Sequence, residues 1–197
     1  MRGILRRAGV ALGVVALLAI GGVAVVTAPD SAGITAQFDV PGSVGNTITA
    51  REAVVRVTGV QLAETLEFGY GLGDTDTATT GVWVVVHTTV TTRASSQVFG
   101  NALLRIGGVS YGASGILPAP NLTGMQLNAG IPVAGVLVFE VPRSAVRGND
   151  AAQARIEMKV RLNERLNTVP NISVDLTARS IESGVAIAAP KIVEDPQ

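Results

Sequence analysis

Three short segments of the sequence contain side chains of the types that enzymes and metal sites use. The segment GVWVVVHTTVTTR holds the single histidine of the chain, His87. The segment GVSYG places Ser110 at the centre of a G-x-S-x-G pattern, and the segment GDTDT contains Asp74 and Asp76. Side chains of these types can supply a general base, a nucleophile and the carboxylate ligands of a calcium ion.

The pattern around Ser110 lacks the context that a hydrolase needs. A nucleophile elbow is a strand, a sharp turn and then a helix, with the histidine later in the chain. Here small residues and another glycine follow Ser110, and His87 precedes it. We therefore predict a β-hairpin at GVSYG, no catalytic residue and no enzyme activity. The alternative is a small extracytoplasmic hydrolase that uses Ser110.

His87 is predicted to have a structural role. On an extended strand it shares a face with Trp83 and Thr89, and this face is the more polar of the two. A metal site would need further ligands, but the chain has no second histidine and no cysteine. We therefore expect no metal and no cofactor at His87.

The acidic residues Asp74 and Asp76 form the one candidate binding loop. They lie two apart in a stretch rich in glycine and threonine, and carboxylates at this spacing can share a Ca²⁺ ion. A closing glutamate is missing, which favours an ordinary polar turn, so both interpretations stay open. Glu64 and Glu67 are also close in sequence, and we interpret them as a solvated strand end.

Most of the chain after residue 46 has the pattern of short strands. In ARIEMKVRL the apolar residues Ile156 and Met158 alternate with Arg155 and Glu157. This period of two predicts a strand with the apolar residues in the core and the charged ones in solvent.

Elsewhere in the sequence, glycines mark the places where strands bend or turn. A change of phase at Gly59 predicts a β-bulge, and Gly107 with Gly108 predicts a hairpin turn. We count about seven to eight strands in this part of the chain. The sequence therefore predicts an all-β fold, a β-sandwich of about this number of strands.

The N-terminal segment has the composition of a membrane anchor. Ala8 to Ala28 is a run of 21 residues without a charge. As a helix it would be about 32 Å long, enough to cross a bilayer. Arg6 and Arg7 precede it, which places residues 1–7 in the cytoplasm and the rest outside. We predict an uncleaved signal anchor, with a cleaved signal peptide, and hence a secreted protein, as the alternative.

The remaining boundaries follow from composition and charge. Residues 29–46 are predicted to be a linker or a loosely held first strand, 47–180 the extracytoplasmic sandwich and 181–197 a C-terminal tail. From Gly33 onward the chain carries 12 basic and 14 acidic residues, a net charge of −2. This balance argues against a nucleic-acid partner. Without cysteine the domain has no disulfide and no lipid anchor of the lipoprotein type.

Three segments together resemble a known family. They are TTGVWVVVHTTVTTR, NALLRIGGVSYGAS and LNAGIPVAGVLVFEVPRSAV. The residues that match the family pattern are Tyr111, Gly130, Gly135, Phe139, Glu140 and Pro142. On these the region from about Thr47 to Leu176 resembles the uncharacterised immunoglobulin-like extracellular domain family of bacterial exported lipoproteins and signal-anchored proteins. The chain departs from it where TTRASS replaces the usual Asn after the long strand, and where the lipid-bearing Cys is missing.

The resemblance implies an immunoglobulin-like sandwich outside the membrane, and it carries over no catalytic residue. Combined with the predicted anchor, it indicates a non-catalytic binding or accessory module of the bacterial cell envelope. Such a module would be held in the cell membrane through Ala8 to Ala28 and would contact a neighbouring envelope protein.

Overall fold

The computed structural model describes residues 37–69, 75–115, 117, 120–160 and 167–194. Within them the chain forms thirteen strands, one short α-helix and one 3-10 helix. The strands are β1 Phe38–Ser43, β2 Thr47–Thr49, β3 Ala53–Phe68, β4 Thr75–Thr92, β5 Gln97–Val98, β6 Asn101–Ile106, β7 Val109–Gly112, β8 Gln126–Leu127, β9 Val133–Val141, β10 Ala154–Lys159, β11 Thr168–Val174, β12 Ile181–Ala186 and β13 Lys191–Ile192. The helix α1 is Arg143–Arg147, and the 3-10 helix is Asn149–Gln153.

The strands form two large sheets and one small one. The five-stranded sheet has the order β1-β11-β10-β6-β7, and the six-stranded sheet has the order β12-β3-β4-β9-β13 with β2 paired to β3. Strands β5 and β8 pair with each other. Among the described strands the pairs β1–β11 and β12–β3 are parallel and all other ladders are antiparallel.

The two large sheets pack face to face and bury one core between them. Alternate residues of each strand point into this inner core, as the period-two pattern requires. Its members include Val55, Val57, Val84, Val86, Leu104, Leu137, Phe139, Ile156, Met158 and Ile172. The all-β sandwich that the sequence predicts is therefore confirmed.

On strand β10 the apolar residues face the core, as predicted, but one of the charged residues predicted to face solvent does not. Ile156 and Met158 are fully buried, and Arg155 is exposed. The prediction for Glu157 is wrong, because its exposure is 4%. Strand β10 lies between β11 and β6, whose side chains flank Glu157, and the guanidinium of Arg105 bonds to its carboxylate with Nε and Oε1 2.5 Å apart.

A second cluster of buried residues lies on the outer face of the six-stranded sheet. This outer core consists of Ala63, Leu66, Phe68, Trp83, Val85, Val136, Val138, Val185 and Ile187. On the face of β4 that was predicted to be the more polar of the two, Trp83 and Val85 are thus buried in this outer core, while His87 is half-buried. Strands β12 and β13 are at opposite ends of the sheet, so the chain between them crosses the outer face, and Ile187 packs there against the sheet.

Strands also occur outside the range predicted for the sandwich. Strand β1 lies in the segment predicted as a linker or loose first strand, and it pairs in parallel with β11 over its whole length. Strands β12 and β13 lie in the segment predicted as a tail. The sandwich therefore extends from Phe38 to Ile192.

Two local predictions are confirmed by the register of the strands. The pairing of β3 with β4 shifts between Val57 and Gly59, which is the expected bulge. Gly107 adopts a φ of +58° in the turn between β6 and β7. This left-handed conformation suits glycine, which has no Cβ.

The described residues contain no helix that is long and apolar enough to span a membrane. The predicted anchor, Ala8 to Ala28, lies outside the described residues.

Candidate functional site

Ser110 and His87 lie on opposite outer faces of the sandwich. Ser110 is exposed on β7, at one end of the five-stranded sheet, directly opposite Arg105 of β6. His87 lies on β4 in the six-stranded sheet, next to the outer core. Both sheets and the inner core separate the two side chains. The geometry therefore forms no Ser–His pair, and GVSYG is the hairpin strand that the sequence predicts.

His87 is half-buried and makes one side-chain hydrogen bond. Its Nε2 atom is 2.6 Å from Oε1 of Gln61 on β3. Burial lowers the pKa of His87 below its ordinary value, so the neutral ring is favoured at neutral pH. A cleft of about 250 Å³ lies beside the ring, and Ala188 and Lys191 form part of its wall. The ring is thus held by a neutral amide, which fits the predicted structural role.

The structure covers half of the predicted binding loop. Asp74 lies outside the described residues, and Asp76 is exposed on β4 rather than in a loop. Asp76 is directly opposite Glu67 of β3. Two carboxylates directly opposite each other on neighbouring strands repel each other. Among the described residues no group of three or more histidine, cysteine or acidic side chains could hold a metal ion.

Glu64 and Glu67 are both exposed, as the sequence predicts, but they differ in their surroundings. A second register shift between Ala63 and Thr65 turns Glu64 toward α1. There Oε1 of Glu64 accepts a hydrogen bond from Nη2 of Arg143 at 2.8 Å. The two carboxylates therefore do not act as a pair.

The sequence analysis missed a groove with three arginine side chains. It lies between α1 and the segment that joins β11 to β12, and its volume is about 490 Å³. We call it the arginine groove, and its polar wall contains Glu64, Arg143, Arg147, Thr177, Arg179 and Ser180. Arg143 and Arg147 are four residues apart on α1, so they share one face of that helix. This spacing in PRSAVRG was the available signal, whereas nothing in the sequence indicates that Arg179 joins them.

Exposed apolar side chains concentrate on the terminal strands of the two sheets. Large hydrophobic residues of the described part are exposed at Phe38, Val98, Val109 and Ile192. Phe38 is on β1 and Val109 on β7, the two terminal strands of the five-stranded sheet, and Ile192 is on β13, a terminal strand of the other. These terminal strands are the edge strands of the sheets, and an edge strand with exposed apolar side chains is a site where a strand of another chain can pair.

No family model matches the chain, and no curated protein matches its sequence. Its fold is similar to that of MPT63, a secreted protein from Mycobacterium tuberculosis, with 15% identity, a TM-score of 0.47 and coverage of 70% of this chain and 98% of that one. It is also similar to an uncharacterised β-sandwich protein from Clostridium difficile 630, with 8% identity, a TM-score of 0.43 and coverage of 68% and 95%.

Proposed function

We propose that the protein is a non-catalytic binding or accessory module of the bacterial cell envelope. An immunoglobulin-like sandwich on the outside of the cell membrane would be tethered by Ala8 to Ala28. The uncharged run of 21 residues and the arginines before it support the tether and its orientation. The tether keeps the domain close to proteins of the same membrane, so weak contacts suffice for binding.

The observation that carries the proposal is the position of the exposed apolar side chains. Phe38, Val109 and Ile192 are 60%, 53% and 71% exposed, and all three lie on terminal strands. A partner strand that adds to such an edge gains main-chain hydrogen bonds, and apolar side chains at the edge add burial. The partner class is therefore another envelope protein that offers an extended segment.

The positions of Ser110 and His87 support the absence of catalysis. A hydrolytic serine needs a base within hydrogen-bond reach, and the histidine lies on the other sheet. Arg105, which is directly opposite Ser110, carries a guanidinium, which has hydrogen-bond donors but no acceptor for the serine proton.

Two experiments on native membranes test the tether. The protein should stay in the membrane fraction through washes with high salt and alkaline buffer, and the intact mass should include residues 1–30. A mature species that begins after residue 28 would contradict the tether and support the secreted alternative.

Site-specific photo-cross-linking tests the binding surface. A cross-linking amino acid at Phe38, Val109 or Ile192 should capture a neighbouring envelope protein, because these positions are exposed at sheet ends. The matched control is Ser173, which is exposed on the central part of the five-stranded sheet. Equal capture from Ser173 would contradict binding through the edges.

Two sets of substitutions complete the test. Asp76→Asn should weaken the captured contact if the exposed end of β4 takes part in it, whereas His87→Ala and Ser110→Ala should leave it intact. A hydrolase activity that Ser110→Ala abolishes without unfolding the domain would contradict the non-catalytic assignment.

A further inference from the structure

We propose that the arginine groove binds a small organic molecule that carries a phosphate or carboxylate group. None of the exposed apolar residues Phe38, Val109 and Ile192 lines this groove, and the site does not depend on the tether or on a protein partner. Phosphate and carboxylate groups both present pairs of oxygens that a guanidinium can contact with two parallel hydrogen bonds.

The charges that line the groove favour an anion. Arg143, Arg147 and Arg179 bring three positive charges, and Glu64 brings one negative charge. The pair of Arg143 and Glu64 is half-exposed on both sides, so it contributes little stability and can rearrange around a ligand. The groove therefore carries a net charge of about +2 from its lining side chains.

Arg147 and Arg179 have guanidinium donors that none of the described residues accepts. Arg147 is exposed, and none of the described residues accepts a hydrogen bond from it. Nη1 of Arg179 donates to the carbonyl of Val60 at 2.7 Å, which fixes the direction of this side chain. Its Nε atom is buried and has no partner among the described residues. A buried donor without an acceptor is costly, and an oxyanion in the groove could supply acceptors for these donors.

A further carboxylate, Asp175, directly precedes the groove residues Leu176 and Thr177 in the chain. Asp175 accepts hydrogen bonds at Oδ1 from the hydroxyl of Thr177 at 2.6 Å and from its backbone N–H at 2.9 Å. The side-chain bond from Thr177 is the main cause that lowers the pKa of Asp175, and the charge of Arg179 adds to it. Asp175 thus stays ionised and offsets part of the charge of Arg179, but it is not among the residues that line the groove, and its Oδ1 atom is bonded to the turn that follows it.

The floor of the groove indicates an organic ligand rather than a free ion. The side chains of Leu62, Val146, Leu176 and Ile181 line the groove beneath the arginines. A site with an apolar floor and a few convergent charged groups is typical for small organic ligands. Its volume of about 490 Å³ is within the range of such sites.

Isothermal titration of the purified full-length chain tests the site. The probes are glycerol 3-phosphate and succinate, with glycerol as the uncharged control, all at one ionic strength. We expect at least one anion to bind and glycerol not to bind, and the anion that binds more tightly identifies the charged group. If neither anion binds up to about 10 mM, where weak sites are occupied, the proposal is overturned.

Substitutions localise the binding. Arg147→Gln should weaken it about tenfold, the equivalent of one lost ionic hydrogen bond. Since Arg147 has no partner among the described residues, this variant should fold normally. The matched control is Arg155→Gln, an exposed arginine of the five-stranded sheet that should keep wild-type affinity. Unchanged binding in Arg147→Gln, or equal weakening in both variants, would overturn the assignment to the groove.

Discussion

The outer faces of the two sheets have the same period-two geometry and opposite character. On the five-stranded sheet the outward residues Arg155 and Ser173 are directly opposite each other and exposed. On the six-stranded sheet the outward residues Trp83 and Val85 have exposures of 5% and 0%. The difference lies in what covers each face. The chain from β12 to β13 adds Val185 and Ile187 to the outer core of the six-stranded sheet.

Whether the outer face of a strand is exposed to solvent therefore depends on more than the strand's own sequence. A segment that follows about 100 residues later buries Trp83, and that segment has little apolar periodicity of its own. The continuous run WVVV in β4 is what a strand with both faces buried should contain. Alternation, by contrast, marks β10, whose outer face is largely polar.

The largest expected effect is a charge placed in the outer core. Val85→Asp should lower the free energy of unfolding by about 3 kcal/mol or more, because an unpaired carboxylate would be buried there. Ser173→Asp, its counterpart on the other outer face, should change it by less than about 0.5 kcal/mol. Urea denaturation measures both. Equal effects would show that the outer face of the six-stranded sheet is not buried.

The chain from β12 to β13, which covers the outer face of the six-stranded sheet, contains two isoleucines that differ in exposure. Ile187 is 4% exposed and Ile192 is 71% exposed. Ile187→Ala should cost about 2 kcal/mol or more, since it leaves a cavity over the sheet, whereas Ile192→Ala should cost less than about 0.5 kcal/mol. The midpoint of thermal unfolding should accordingly fall further for Ile187→Ala than for Ile192→Ala. A smaller loss for Ile187 than for Ile192 would mean that the segment does not cover the sheet.

Local patterns allowed the sequence to predict the class of the fold. Alternation in β10, the phase change at Gly59 and the turn at Gly107 are encoded in a few adjacent residues, and each is found where expected. The contribution of β1, β12 and β13 could not be predicted, because parallel pairing and covering contacts join residues far apart in the chain.

The candidate sites also divide into those that adjacent residues indicate and those that form only through contacts between distant parts of the chain. The predicted structural roles of His87 and Ser110 rest on missing partners in the sequence and on strand patterns. The arginine groove did not, because Arg179 reaches Arg143 and Arg147 only after α1 and the segment between β11 and β12 are brought together. Side chains that meet through tertiary packing leave no spacing to detect.

A moderate effect is expected at Glu157, the polar residue buried on the five-stranded sheet. Its side chain is 5% exposed, and that of its partner Arg105 is 48% exposed. Glu157→Gln should cost about 1 kcal/mol, since water screens the exposed side of the pair. Glu182→Gln on β12 is the exposed control and should be neutral. If the two variants are equally stable, the bond between Arg105 and Glu157 contributes nothing.

The smallest effect concerns the pH dependence of stability at His87. Burial lowers the pKa of His87 in the folded state below its reference value of 6.5. As the pH falls through 6.5, the unfolded chain therefore binds a proton that the folded chain resists, and the free energy of unfolding decreases. His87→Gln removes this contribution, so the wild type should lose more stability than the variant between about pH 7.5 and pH 5, the range in which a histidine titrates. Urea denaturation of both proteins at several pH values measures the difference, and the carboxylates that titrate at lower pH cancel between them. A difference that runs the other way would show a raised pKa, and a ring stabilised in its charged form beside Gln61 rather than a neutral ring at the border of the outer core.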